Sequence, residues 1–202
     1  MDRYMEKKVS ISLPSMRLGT LQPDIIRQIK RVKKTGFTLA PEAGTARLRR
    51  VINKEMGDEE FDATIRWVFS EGWNSLKLYF MIGLPTETEA DIEGIIGLAE
   101  RARAISKEVA GRYKNINISI STFVPKPHTP FQWMGQAGIE DIKNKLNYLR
   151  RRLEKKGLGV KWQRPELSLL EAVFSKGDRR LGKVLKEAWK EGCRFDGWTE
   201  AF

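Results

Sequence analysis

Few side chains in this sequence are of a type and in a setting that could do chemistry. Glu42 follows a short apolar stretch, and a carboxylate there could accept hydroxyl protons or complement the start of the next helix. His128 is the single histidine and lies among prolines. It could transfer protons to a substrate, but a histidine in such a loop more often only hydrogen-bonds its neighbours, and we favour that interpretation. Lys77 and Tyr79 are polar positions in an otherwise apolar run and could meet a substrate.

The chain contains a single cysteine, Cys193. One thiol excludes an intrachain disulfide and any zinc or iron–sulfur site built from several thiolates of this chain. The sequence therefore predicts no metal ligands among these residues.

The stretch at residues 76–88 organises the elements that must position these side chains. Apolar residues alternate there with Lys, Tyr and Met, a period of two that predicts a strand. Gly83 and Pro85 end it, and Thr88 begins a helix with Asp91 placed three residues on, close to a capping box. The turn lies at the carboxyl end of the strand, where parallel α/β proteins bind ligands.

Similar patterns predict strands and helices along the rest of the chain. The predicted strands are residues 9–13, 37–40, 76–82 and 116–120. The predicted helices are residues 25–32, an Arg-rich helix after Thr45, a helix capped by Asp58, residues 88–109, and then 139–156, 166–174 and 178–191. Everything after residue 139 is predicted to be helical.

Alternation of strands and helices predicts a parallel α/β domain. The polarity of the second face of the strands indicates which α/β architecture the domain has. In a doubly wound sheet both faces are apolar, whereas three of these four strands alternate between apolar and polar residues. Their second face consists of Ser10, Ser12, Lys77, Tyr79, Met81, Asn117, Ser119 and Ser121. These residues favour an incomplete barrel with helices outside and a polar lumen, and a mixed sheet with one wet face is the alternative.

Composition is that of one globular domain of 202 residues with a formal net charge of +11. No apolar run is long enough to span a membrane and no signal segment follows Met1, so we expect a cytoplasmic protein. Residues 139–192 hold fifteen basic and eight acidic side chains. That surface could attract nucleic acid, or it could be an ordinary solvated helical surface.

Four stretches together resemble radical S-adenosylmethionine (radical SAM) enzymes. Residues 12–17 (SLPSMR), 38–45 (TLAPEAGT), 77–88 (KLYFMIGLPTET) and 119–133 resemble their third to sixth strands, in order. The nearest branch is the one in which a cobalamin-binding domain precedes the radical SAM domain. The resemblance implies a partial parallel barrel, a [4Fe–4S] cluster held by a Cys-x3-Cys-x2-Cys loop, and cleavage of S-adenosylmethionine to a 5′-deoxyadenosyl radical that acts on a substrate.

This chain lacks the cysteine loop and the Gly-Gly-Glu segment of that family. We therefore expect it to be the later part of a longer enzyme, inactive without the upstream part of the same polypeptide. Residues 1–135 would be the later part of the barrel, and residues 136–202 a basic, mostly helical extension packed on it. The open strand edge near Val9 predicts that the isolated piece self-associates.

The resemblance also implies which residues bind the cofactor, while the catalytic residues remain unknown. Glu42 would contact the ribose hydroxyls, Gly83 the adenine, and Arg17 the cofactor carboxylate, unless Arg17 forms a surface salt bridge. The full predicted set is Ser15, Arg17, Glu42, Gly44, Thr45, Met81, Ile82, Gly83, Val124 and Pro125, with Lys77, Tyr79 and His128 toward a substrate. Ile82 has ordinary core packing as its alternative. The family pattern has Gly where Tyr79 stands, and its Glu falls one residue off, at Glu87.

A second function from a different class stays open on the sequence alone. The chain could be a non-catalytic basic α/β module that binds RNA through residues 139–190. Steep weakening by salt would indicate phosphate binding, whereas a nucleoside docked in the lumen should be insensitive to salt. The substrate, a small molecule or an RNA, and the use of cobalamin cannot be read from these residues.

Overall fold

The computed structural model describes residues 36–54 and 56–193. The strands are β1 (Phe37–Glu42), β2 (Ser75–Ile82), β3 (Asn115–Thr122) and β4 (Gly159–Trp162). The helices are α1 (Ala46–Val51), α2 (Asp58–Ser70), α3 (Glu89–Ala110), α4 (Ile139–Glu154), α5 (Pro165–Lys176) and α6 (Leu181–Lys190). The sequence predictions for residues 9–13 and 25–32, and for the edge near Val9, lie outside the described residues.

The four strands form one parallel sheet in the order β1-β2-β3-β4. The β2–β3 ladder is continuous from the pair Ser75 and Asn115 to the pair Ile82 and Thr122. Each neighbouring pair in the order is consecutive in sequence, so every connection moves one strand along in the same direction. This singly wound arrangement matches the partial barrel expected from the strand faces, and the fold is α/β.

One face of the sheet carries the main core. Every second residue of β1, β2 and β3 is buried there, and the alternation extends through all three strands. The same core contains the apolar faces of α2, α3 and α4, including Phe61, Ile95 and Leu149. Since helices cover this face and the core residues occupy only alternate positions, the predicted helix-outside, polar-inside arrangement is confirmed for the described strands.

The sequence reading missed β4. Its four residues begin with Gly159 and contain no clear alternation, and we predicted helices throughout this region. The strand exists because it extends the sheet, pairing Asn117 with Gly159 and Ile120 with Trp162. A side chain at Gly159 would come within 2.7 Å of the Asn117 Oδ1. The region after residue 136 thus adds a strand to the barrel sheet, and the predicted boundary between residues 135 and 136 stays a prediction.

Two predicted helix starts differ in outcome. Asp58 was expected to cap α2, but Gly57 is the N-cap and Asp58 is the first helical residue. Its carboxylate is instead engaged by the Arg49 guanidinium. At α3 the expected partnership is present, because the Asp91 Oδ2 accepts the Thr88 N–H at 2.8 Å.

Candidate functional site

The candidate site lies at the carboxyl edge of the sheet, where the segments after β1, β2 and β3 begin. A small apolar cluster joins these three segments through Ala43, Leu84 and Phe123. Because parallel strands present their carboxyl ends at the same edge, side chains from all three loops can face one ligand.

Glu42 ends β1 in a conformation that few glutamates adopt. Its φ is +70°, and the β1–β2 register shifts between Leu39 and Glu42. The Lys54 Nζ lies 3.3 Å from the Glu42 Oε1, and 26% of the Glu42 side chain is exposed. The carboxylate is therefore held by a cation on one side and is open to further hydrogen-bond donors on the other.

Each of the three loops contains one non-glycine residue with a positive φ. These are Glu42 at +70°, Thr86 at +66° and His128 at +60°. For residues that carry a Cβ, this region is disfavoured by about 1–2 kcal/mol. Such strain persists only where surrounding contacts enforce it, and it concentrates at ligand-binding sites.

Gly44 is required by a close backbone contact between the β1 loop and α3. A Cβ at Gly44 would lie 2.2 Å from the Asp91 carbonyl oxygen and 2.4 Å from the Ile95 nitrogen. The contact is reciprocal, since a Cβ on Gly94 would lie 2.8 Å from the Gly44 carbonyl. The predicted Gly44 thus acts through packing, which places the loop against the first turns of α3.

The charged side chain of Asp91 also holds the loop after β1 against α3. Its buried carboxylate accepts hydrogen bonds from the Thr45 hydroxyl and from the Arg47 guanidinium, in addition to the Thr88 N–H and hydroxyl at 2.8 Å. Burial raises the pKa of Asp91, but these hydrogen bonds outweigh it and hold the pKa below its usual value. Thr45 also caps α1, accepting the Leu48 N–H at 3.2 Å.

Arg49 is buried, although no pattern in the sequence indicated its burial. The guanidinium donates to the Met56 carbonyl at 3.0 Å, to the Ala43 and Gly44 carbonyls at 3.3 and 3.4 Å, and to Asp58. These bonds tie the loop after β1 to the segment before α2. They fix the backbone that directly follows Glu42.

The turn after β2 is closed around Gly83. Gly83 has φ +76°, and its N–H donates to both carboxylate oxygens of Glu87 at 3.0 and 2.9 Å. Glu87 is buried and pairs with the Lys145 ammonium of α4 at 2.9 Å. A Cβ on Gly83 would meet the Ile142 Cδ1 at 2.8 Å. The start of α4 therefore packs directly on the turn predicted to contact adenine.

Met81 and Ile82 point to opposite faces of the sheet. Met81 is half-buried and packs on the small cluster of Ala43, Leu48 and Leu84 at the carboxyl edge. Ile82 is fully buried in the helix-side core, which is the ordinary packing considered as its alternative. Of the two side chains, only Met81 is on the face that a ligand in the lumen could contact.

The loop after β3 is ordered by local contacts. Pro125 is buried and Val124 is half-buried. The Phe123 ring packs edge-on against Phe131 with ring centroids 5.8 Å apart. His128 is exposed, and its backbone N–H donates to the Gln132 Oε1 at 3.2 Å, while the role of its imidazole stays a prediction.

Lys77 and Tyr79 lie on the polar face of β2, as predicted. The Lys77 Nζ donates to the Tyr79 hydroxyl at 2.7 Å and lies 4.5 Å from the centre of the same ring. The neighbouring residues of β3 on this face are Asn117, Ser119 and Ser121. The predicted Ser15 and Arg17 lie outside the described residues.

Sequence reasoning missed three side chains of this region. Lys54 follows α1, twelve residues after its partner Glu42, with no helical or strand spacing to link them. Lys145 could have been suspected only by knowing that α4 folds back on the β2 turn. Lys161 is placed by β4, which was itself missed.

Within residues 36–54 and 56–193, no group of three or more His, Cys, Asp and Glu side chains is arranged to hold a metal ion. Among the helices of the same ranges, none is both long and apolar enough to cross a bilayer.

The described strands and helices form a partial α/β barrel sheet, and comparison with known proteins shows which family the chain is similar to. The family model of the Radical SAM superfamily matches residues 3–99. This match supports membership of the radical SAM superfamily and confirms the sequence resemblance at that level. The chain is also 35% identical over 181 residues to "Uncharacterized protein MJ0966" of Methanocaldococcus jannaschii. The aligned part is 88% of this chain, and the chain spans about 37% of the length of that relative.

Proposed function

We propose that this chain is the later part of a radical SAM enzyme and that it supplies the adenosine side of the S-adenosylmethionine site. The observation that carries the proposal is Glu42, a partly exposed carboxylate at the carboxyl end of β1 in a conformation enforced by its surroundings. The superfamily match includes this residue and the whole of β2.

The residues present suit the adenosine half of the cofactor. The Glu42 carboxylate would accept hydrogen bonds from the ribose hydroxyls, and the contact with Lys54 would hold it in position. Met81 would offer an apolar surface to the base, with Val124 and Pro125 contributing backbone groups. The Gly83 N–H already donates to Glu87 and Ile142 packs on Gly83, so Gly83 would shape the turn rather than donate a hydrogen bond to the base.

The remaining parts of the site would come from upstream in the same polypeptide. One cysteine cannot supply the three thiolates that such a cluster needs. A bound [4Fe–4S] cluster and S-adenosylmethionine together supply one-electron cleavage of a sulfonium and hydrogen-atom abstraction. The contribution of this chain is to bind and orient the nucleoside. A cobalamin-binding domain and a cytoplasmic location stay predictions.

The test is cofactor cleavage by the full-length protein. The protein is reconstituted anaerobically with iron and sulfide, reduced with dithionite and incubated with S-adenosylmethionine, and 5′-deoxyadenosine is quantified by chromatography. We expect formation of 5′-deoxyadenosine that depends on the cluster. A fully reconstituted protein that forms none would contradict the proposal.

The RNA-binding alternative finds less support in the described residues. Many cations of the basic region are paired with acids, for instance Lys143 with Glu166 and Arg152 with Glu93. This pairing is that of a solvated helical surface rather than a row of cations available to phosphates. A shallow salt dependence of any RNA binding would count further against this alternative.

A further inference from the structure

The polar face of the sheet offers hydrogen-bond donors in excess of acceptors. Lys77 lies on this face near the start of β2 and is half-buried. Its ammonium has three N–H donors, and the Tyr79 hydroxyl at 2.7 Å accepts one of them. At least two N–H donors of Lys77 therefore remain for another partner.

Tyr79 extends the donor group. Its oxygen accepts from Lys77, so its own O–H is left to donate. The Lys77 ammonium nitrogen also lies 4.5 Å from the centre of the Tyr79 ring. This cation–π contact keeps the two side chains next to each other on the polar face. The pair presents a positive charge and an O–H side by side.

The strand register adds two more donors in the same row. Tyr79 is the Cα partner of Ser119, and Ser119 is the partner of Lys161 in β4. Paired residues in a parallel ladder share a face, and the adjacent Val160 packs on the helix-side core. Lys161 therefore stands on the polar face, two strands away from Tyr79.

Neither cation has an acidic partner among the described residues. In residues 36–54 and 56–193, the salt bridges of the polar face and its edge include Glu42 with Lys54, but none that involves Lys77 or Lys161. A partly buried ammonium without a counter-ion is unfavourable, because burial removes part of its hydration. A ligand with negative charge would restore the balance.

We propose that the polar face between Lys77 and Lys161 binds an anionic group, a carboxylate or a phosphate, of a small-molecule substrate. Such groups combine a negative charge with several acceptor oxygens, which complement the ammonium groups and the O–H groups of Tyr79 and Ser119. Lys77 is half-buried on the sheet face, which suits a compact anion better than a polymer backbone. This inference rests on the proposed function, since it names the substrate class of that enzyme.

The test is anion binding by the full-length protein, measured calorimetrically with two probes, inorganic phosphate and succinate. We expect at least one probe to bind with a dissociation constant in the millimolar range or below, and the tighter probe identifies the group. Lys77→Met should weaken binding of that probe by about tenfold or more, and Lys77→Arg should retain most of it. Tyr79→Phe, which keeps the ring and removes the O–H, should weaken it by a smaller factor.

Lys183→Met is the matched control, since Lys183 is exposed on α6. It removes one positive charge from the same protein and should leave anion binding unchanged. Circular dichroism and the urea midpoint establish that each variant is folded. The proposal is overturned if neither probe binds the folded wild-type protein, or if Lys77→Met binds the probe as well as Lys183→Met does.

The formation of 5′-deoxyadenosine without added substrate separates this inference from the proposed function. A protein that cleaves the cofactor but shows no Lys77-dependent anion binding refutes only the substrate class. A protein that binds anions through Lys77 but never cleaves the cofactor refutes the enzyme instead.

Discussion

The two faces of the sheet differ in nearly every physical respect. On the helix side, Phe80 and Ile118 are fully buried among the apolar faces of three helices. On the other side, Lys77, Tyr79 and Ser119 are only half-buried and carry charge or hydroxyl groups. Both faces are built from the same strands, because successive strand residues point in opposite directions.

The difference indicates a division of roles. Apolar burial contributes about 25 cal/mol for each Å² removed from water, so the helix side stabilises the fold. The polar side contributes little of this kind and leaves donors available to a ligand. Substitutions on the two faces should therefore have opposite effects on stability and on binding.

The largest expected effect is the loss of a core ring. Phe80→Ala should lower the free energy of unfolding by about 3–5 kcal/mol, because it removes a fully buried side chain and leaves a cavity. Ser119→Ala, on the opposite face of the neighbouring strand β3, should change it by less than about 0.5 kcal/mol. Urea unfolding of the two variants makes the comparison, and equal losses would refute the division between the faces.

The next effect concerns the edge of the site. Gly44→Ala should destabilise the protein by about 3 kcal/mol, since the new Cβ overlaps the backbone of α3. Gly97→Ala is the control. Gly97 lies in α3, and a Cβ added there would have no other atom within 4 Å. The control should stabilise by about 0.5–1 kcal/mol through helix propensity. Similar values for the two variants would show that the close contact is not structurally required.

A smaller effect depends on pH. Because the pKa of Asp91 is lower in the folded state than in the unfolded chain, its contribution is complete above about pH 4 and is lost as the pH falls through the folded-state pKa. Asp91→Asn should therefore be less stable than wild type by about 2 kcal/mol at pH 7. The difference between the two proteins should shrink below pH 4. Urea midpoints at pH 7 and pH 3 measure it, and a constant difference would contradict the proposed charge network.

The smallest effect has the opposite sign. Lys77→Met should leave stability unchanged or raise it by about 0.5–1 kcal/mol, because it removes a partly buried charge that has no acidic partner among the described residues. Thermal unfolding of this variant beside Lys183→Met is the measurement. A clear loss of stability would mean that Lys77 serves the fold rather than a ligand.

Much of this division was predictable from sequence, and the exceptions have physical reasons. The alternation in β2 and β3 identified both faces, because a period of two can be read directly. The strand β4 could not be read, since four residues hold their conformation only through pairing with β3. Arg49 was missed because arginine is usually exposed, and its burial depends on carbonyl groups brought near by the fold.

The candidate site was predictable only in part for the same reason. Thr45 follows a strand where a helix cap is common, and it caps α1. Gly44 was predicted to bind the cofactor, whereas the close approach that the structure shows is to the backbone of α3. Two ion pairs could not be predicted, because they join segments that only the tertiary structure brings together. These are the pairs of Glu42 with Lys54 and of Glu87 with Lys145. Their roles in cofactor binding stay predictions.

The most direct test of the adenosine site is the affinity of the full-length protein for S-adenosylmethionine. Equilibrium dialysis would compare Glu42→Gln with Glu60→Gln, which makes the same change at an exposed position of α2. We predict that Glu42→Gln raises the dissociation constant by about tenfold or more, since hydrogen bonds to a charged group contribute about 1.5–3 kcal/mol. We predict no change for Glu60→Gln. Equal affinities of Glu42→Gln and the wild-type protein would contradict the assignment of Glu42 to the ribose.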